Sequence, residues 1–195
     1  MILEKEIEFV LAIDALKNVN RRNFNLDNSR RENTAEHSWQ VVVFAQILYP
    51  YARNKEKIDL GKVLKMLSIH DVVEIDAGDT FFYDAKANEG KFERELTSAK
   101  RIFGILNEPL QSEFLNLWLE FEEGKTEEAI FANAVDRMIP FTLNCYNNGL
   151  SWVEAGVTYE KVKQLLRPKI NEASEEMADT FDVLLKKAFD EGKLI

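Results

Sequence analysis

The sequence predicts an all-α fold, a single-domain irregular helical bundle spanning residues 1–195. Apolar residues make up 46% and charged residues 30% of the chain, with only eight Gly and four Pro, a mixture that suits packed helices better than disorder. Apolar side chains recur at helical spacing in one segment after another, and no alternating strand pattern, repeat or low-complexity tract interrupts them. The length allows one compact domain with a substantial core and is short for two.

The elements follow in chain order. Over residues 2–18, Ile7, Val10, Leu11, Ala15 and Leu16 share a helical stripe, which predicts a first amphipathic helix. The next stretch, NVNRRNFNLDNSRREN, is polar, rich in Asn and carries four arginines, so it reads as an ordered loop or bridge. Asn33 to Glu36 has the form of a capping box opening a second helix that Pro50 closes. A third begins near Asp59, with Leu60, Val63, Leu64, Leu67 and His70 on one face and Gly78 ending its continuation. TFFYDAKANEGK mixes aromatics with turn formers and predicts a loop over 80–91. Helical patterns resume at about 92–105, 109–122 and 127–147. Ser151 to Glu154 reads as another capping box, Thr158 as the start of a helix that ends before Pro168, and Pro168 as the first turn of the last helix.

Composition also excludes functions. The opening segment carries charges every few residues and has no apolar stretch fit for a signal peptide, and WQVVVFAQILYPY is broken well short of a membrane span, so a cytoplasmic protein with no membrane partner is expected. Thirty-four acidic against 25 basic residues give a formal charge of −9, which repels polyanions and argues against a nucleic acid polymer as partner. The single cysteine, Cys145, reads as a buried structural thiol.

Two histidines, His37 and His70, are all the chain has, and both fall on helices dominated by Val, Leu, Ile and Phe. His37 shares a stripe with Val41, Phe44, Ala45 and Leu48, so its imidazole points into the core. A lone core histidine is usually satisfied by a carbonyl; the second one changes that reading. His70 is followed at once by Asp71 after the largely apolar KMLSI, and Asp136 interrupts the apolar IFANAVDRMIPF, with Arg137 pointing elsewhere around the helix. A buried carboxylate needs a cation or several donors. Pro140, four residues after Asp136, cannot donate to the carbonyl of residue 136, so a bend is expected there. His37, His70, Asp71 and Asp136 together form a mixed nitrogen and oxygen set suited to one divalent metal ion, whether cobalt, manganese, magnesium, iron, nickel or zinc. Such an ion lowers the pKa of bound water from about 15.7 towards roughly 7 and so makes a nucleophile for phosphorus at neutral pH.

The ordered set His37, His70-Asp71 and distant Asp136 resembles the HD superfamily of metal-dependent phosphohydrolases, with a metal-site core at about 33–147. ENTAEHS around His37, HDVVEIDAGDT from His70 to Thr80 and NNGLSWVEAGVT after the Asp136 helix are similar to the bacterial 5′-deoxynucleotidase group. The resemblance implies a helical homodimer that removes phosphate from (deoxy)nucleoside 5′-monophosphates, a small-molecule phosphate ester as partner, and catalytic roles for Asp71 and Glu74. Glu74 matches the residue that positions or activates the attacking water, and Asp79, followed by Thr80, the one that binds the sugar 3′-hydroxyl. If the helix continues past His70, Asp71 and Glu74 face the same way. The group also has an Arg followed by Trp before the first His; here Arg21 and Arg22 are both equivalents for phosphate binding, while Asn23 or another residue stands in place of Trp. Strict deoxyribose selectivity does not carry over. Hydrolysis of another phosphoester, such as a guanosine alarmone, is the nearest enzymatic alternative, weakened because Ile75 follows Glu74 where those enzymes have a second acid. A non-catalytic nucleotide-sensing domain is the alternative from another class. Asp76, Arg30 and Arg31 read as surface residues, and the Phe81, Phe82 and Tyr83 cluster as packing more than as a base platform.

Overall fold

The computed structural model describes residues 2–195. Among them run ten α-helices: α1 (Glu4–Ile13), α2 (Thr34–Leu48), α3 (Leu60–Ile69), α4 (Glu74–Ala77), α5 (Lys91–Phe103), α6 (Leu110–Glu123), α7 (Glu127–Tyr146), α8 (Leu150–Ala155), α9 (Tyr159–Ala173) and α10 (Glu175–Asp190). No helix among the described residues is long and apolar enough to cross a membrane.

α7 is the axis of the bundle. Its sequence is apolar nearly all round, and it packs against α2, α3, α6, α9 and α10, burying Phe131, Val135, Met138, Ile139 and Phe141 among others. A helix surrounded on all sides can place a polar side chain inside the protein only where its neighbours answer it, and Asp136 is such a residue. α7 runs through Pro140, whose carbonyl accepts a hydrogen bond from Asn144 Nδ2 at 2.9 Å.

The expected capping box is present, Asn33 and Glu36 capping α2 reciprocally, and Asp59 and Thr158, where helices were expected to begin, cap α3 and α9. Gly78, at φ 75, ends α4 in a backbone region that costs glycine little. Cys145 is buried, and burial pushes its thiol up to about 12.

Other expectations are corrected. The expectation of no strands fails: Asn20–Phe24 (β1) and Arg31–Asn33 (β2) form an antiparallel hairpin, with Asn20 opposite Asn33 and Phe24 opposite Arg31. Its turn is closed by Asn28 at φ 60 and by Asn25, whose backbone bonds Arg30 and Asn28. The first stripe also fails as a core face, because Ile7, Val10 and Leu11 are exposed and only Leu16 of the expected set is buried, with Phe9. α1 stops at Ile13 and a tighter turn covers Asp14–Asn18. Ser151 does not cap: α8 starts at Leu150, Ser151 is buried inside it, and Glu154 pairs with Arg31 at 2.7 Å. Pro168 lies inside α9, and the last helix is capped by Ser174. Finally, the third helix does not run on to Gly78: it ends at Ile69, and a turn over 70–73 precedes α4.

Candidate metal centre

Three helices aim their polar residues at one point. His37 from α2, His70 at the end of α3 and Asp136 from α7 each offer a ligand atom, all mutually within 4.8 Å. His37 Nε2 is 2.8 Å from Asp136 Oδ1, His70 Nε2 is 3.5 Å from the same oxygen, and the two rings lie 5.8 Å apart. Asp71 completes the group, with Oδ1 3.2 Å from His70 Nε2 and Oδ2 3.7 Å from His37 Nε2. The turn at 70–73 does not separate them, because it swings Asp71 and Glu74 to the same side, where both approach Arg21.

The donor set fits a cation on an observation independent of residue type. A carbonyl can only accept, so the 2.8 Å contact of His70 Nδ1 with Leu67 O requires the proton on Nδ1. In its neutral form the ring then turns a lone pair on Nε2 towards the carboxylates, and this atom is buried without a hydrogen-bond partner. His37 is set similarly: Nε2 faces the cluster, and Nδ1 faces Glu32 Oε2 at 3.6 Å, two buried atoms that make no hydrogen bond. An imidazole backed by a carboxylate and another by a backbone carbonyl is the outer support that metal-ligating histidines take.

Electrostatics points the same way. Burial opposes the charge of Asp136 and of Asp71, yet the imidazoles beside them, with Arg21 helping at Asp71, hold both below the ordinary carboxylate range. Burial likewise opposes the charge of His70, but Asp71 and Asp136 outweigh it and hold its pKa well above the usual value. Glu74 and Asp79 behave oppositely: burial raises both, with Asp71 nearby adding repulsion. The excess of carboxylates wants positive charge.

Arg21 supplies part of it. Extending from β1, its Nη1 reaches Asp71 Oδ2 at 2.9 Å, Asp79 Oδ1 at 3.5 Å and Glu74 Oε1 at 3.9 Å, and its Nε lies 3.4 Å from Glu32 Oε2. Thr34, at the start of α2, donates its hydroxyl to Glu74 Oε2 at 2.8 Å. Asp71, Glu74 and Asp136 open onto a partly enclosed pocket with a cavity volume of about 110 Å³. Arg22 and Thr80 line this pocket with Asp79, as do Phe81, Phe82 and Tyr83. The three aromatics also pack edge to face on one another. Arg30 and Arg31 stay outside it, paired with Glu36 and Glu154.

Sequence reasoning missed Glu32, Asn144, Lys91 and Arg137. Asn144 and Ser151 are buried together with Asn23, Ser151 Oγ bonding Asn144 Oδ1 at 2.7 Å and Asn23 Oδ1 lying 3.1 Å from the same hydroxyl. Lys91 opens α5 at the pocket wall and pairs with the buried Glu95 at 3.3 Å. Of these, Asn144 and Arg137 carried a signal, as polar residues within an apolar helix.

Known proteins agree with this picture. The HD domain family matches residues 13–178. A crystal structure of a predicted metal-dependent phosphohydrolase from Magnetospirillum magnetotacticum is 41% identical, covers 98% of this chain and 97% of its own, and superposes with a TM-score of 0.91. An HD-domain phosphohydrolase of Listeria innocua, 15% identical over 94% of this chain and 98% of its own with a TM-score of 0.62, shares the fold. The human 5′-deoxynucleotidase HDDC2 is 28% identical over 132 residues, which are 67% of this chain and 62% of that protein. The zebrafish (Danio rerio) HDDC2 is 26% identical over 137 residues, 70% of this chain and 66% of its own. This chain thus spans about three fifths of the length of the curated relatives it matches. Given the convergent imidazoles and carboxylates and the match along most of its length, this chain belongs to the HD domain family.

Proposed function

We propose that this chain is a 5′-nucleotidase, a phosphomonoesterase that takes phosphate from (deoxy)nucleoside 5′-monophosphates. The observation that carries the reading is the position of the cluster: Asp71, Glu74 and Asp136 form one wall of a pocket whose other walls bear arginines and aromatic rings. A phosphate would meet charge at the cluster, and a planar base would meet rings farther along. The likeness to the HDDC2 5′-deoxynucleotidases supports the substrate class.

In this reading His37, His70, Asp71 and Asp136 hold one divalent ion. When bound, it would supply positive charge for the phosphoryl oxygens and lower the pKa of a water in its shell. The other roles belong to the chain itself. Glu74 takes the proton of the attacking water: its carboxylate is oriented by the Thr34 hydroxyl, and a buried site that raises its proton affinity suits a general base. Arg21, engaged with Asp71, Asp79 and Glu74, keeps three like charges together in one wall. Arg22 and Thr80 contact the phosphate, and Asp79 accepts from a sugar hydroxyl.

The reading includes a homodimer. Val10 and Leu11 of α1 and Trp39 and Ile47 of α2 are each 60% or more exposed, a concentration of large apolar side chains that a second copy would cover. Light scattering of the purified protein should give twice the mass of the chain, and Trp39→Lys should return it to one.

Phosphate release from a panel of nucleoside 5′-monophosphates, with cobalt, manganese or magnesium added in turn, tests the function. Release that requires the cation and stops with a chelator is expected. No release from any monophosphate with any cation, alongside turnover of a different phosphoester, would reject the assignment.

A further inference from the structure

Four cationic side chains line the pocket, and they are not equivalent. Arg21 is surrounded by carboxylates, and Lys91 is paired with Glu95. Arg22 and Arg137 have no carboxylate partner among the described residues, although the chain has nine more acidic than basic groups. In so acidic a protein a guanidinium kept free of carboxylates at a pocket wall is available for an anion from outside.

Arg137 is held in a particular orientation. Its Nη1 donates to Asn133 O and to Asn133 Oδ1, both at 2.7 Å, and its guanidinium lies over the Phe82 ring at 5.7 Å. These contacts leave the Nε and Nη2 edge unused. Nε is buried without any hydrogen-bond partner, a costly state for a donor of this strength. Arg22 mirrors the arrangement from the hairpin, its guanidinium 5.8 Å from the Phe81 ring. The two adjacent phenylalanines therefore carry one arginine each.

We infer that Arg137 is a phosphate-binding residue of this pocket, its Nε and Nη2 edge gripping two oxygens of the substrate phosphate. The inference rests on the phosphomonoesterase reading for its substrate and adds a specific residue to it. The planar fork of arginine matches two phosphate oxygens, whereas the ring beneath it and Asn133 beside it hold it flat and ready. Asp136 and Arg137 are neighbours in sequence but point about 100° apart around α7, so one turn of helix would serve the metal site with one side chain and the substrate with the next. Arg21 acts through the carboxylates it binds and is a positioning residue.

The test uses inorganic phosphate on the protein loaded with cobalt and freed of excess metal. Phosphate should inhibit turnover of a nucleoside 5′-monophosphate competitively and raise the melting temperature. Arg137→Gln should weaken phosphate inhibition and raise KM, each roughly 10- to 100-fold as expected for loss of a charge-assisted pair, with bound cobalt unchanged. Arg137→Lys, which keeps the charge and loses the fork, should fall between the two and provides the measurement if the Gln variant does not fold. An inhibition constant for phosphate that stays at the wild-type value in both variants would overturn the inference, including the case where KM alone rises because Arg137 contacts the base. Protection against melting is read without turnover. If the wild-type protein cleaves no nucleotide yet Arg137→Gln loses protection by phosphate, the substrate assignment fails and the arginine's role stands.

Discussion

His37, His70 and Asp136 reach their meeting point from three helices rich in Val, Leu, Ile and Phe, while Arg21 and Glu32 reach the same cluster from a polar hairpin that has almost no apolar surface of its own. The helical side is held by burial. The hairpin is held by specific polar bonds: Asn147 Nδ2 to Phe24 O at 3.1 Å, Thr34 N to Val19 O at 2.9 Å, and the buried group of Asn23, Asn144 and Ser151. The difference teaches a division of labour. Ligands that must approach a cation closely sit on the rigid side, and the groups that tune charge around them sit on a segment anchored by a few hydrogen bonds.

That comparison can be broken from either side. The largest effect is expected from the helical side: His70→Ala or Asp136→Ala should lower both metal content and turnover by more than about a thousandfold, measured by elemental analysis and phosphate release. Next, Glu74→Gln should retain the metal and lower kcat by roughly 10²–10⁴, because it removes a proton acceptor and no proposed ligand. Turnover within twofold of the wild type would remove Glu74 from the chemistry. Glu32→Gln, on the hairpin, should weaken metal affinity by about 10- to 100-fold through His37, whose Nδ1 it faces. An unchanged affinity would mean that the hairpin contributes no support to the cluster. The smallest effect belongs to Asn144→Ala, which should cost about 1–3 kcal/mol of stability in a denaturant titration, with metal affinity little altered. A larger change in metal affinity than in stability there would show that the two sides are more tightly joined than the division supposes.

The outer face of α2 sharpens the same point. His37, Val41 and Ala45 are buried while Trp39, Val43 and Ile47 one side further round are exposed, so a helix apolar on both faces used one for the core and left the other open. α1 did more, since Ile7, Val10 and Leu11 of its expected stripe stayed outside and only Leu16, beyond the helix, was buried. Helical spacing identifies an apolar face without saying what covers it. The Ser151 capping signature misled for a related reason: a serine that could cap a helix is equally able to bond a buried amide, and Asn144 lay within reach.

What the amino-acid sequence determined by itself was local and periodic: the helices over most of the chain, the caps at Asn33, Asp59 and Thr158, and the inward placement of His37 and Asp136, because a period of 3.6 residues ties each polar residue to its apolar neighbours. The hairpin escaped it, since NRRNF and REN have no apolar alternation and pair only because Asn144, Asn147 and the carboxylate cluster hold their far sides. The partners of Arg21, the support of His37 by Glu32 and the unclaimed edge of Arg137 were decided in the tertiary structure alone. Each depends on the distance between side chains from separate elements, and those distances are set by how whole helices pack, which no local spacing encodes.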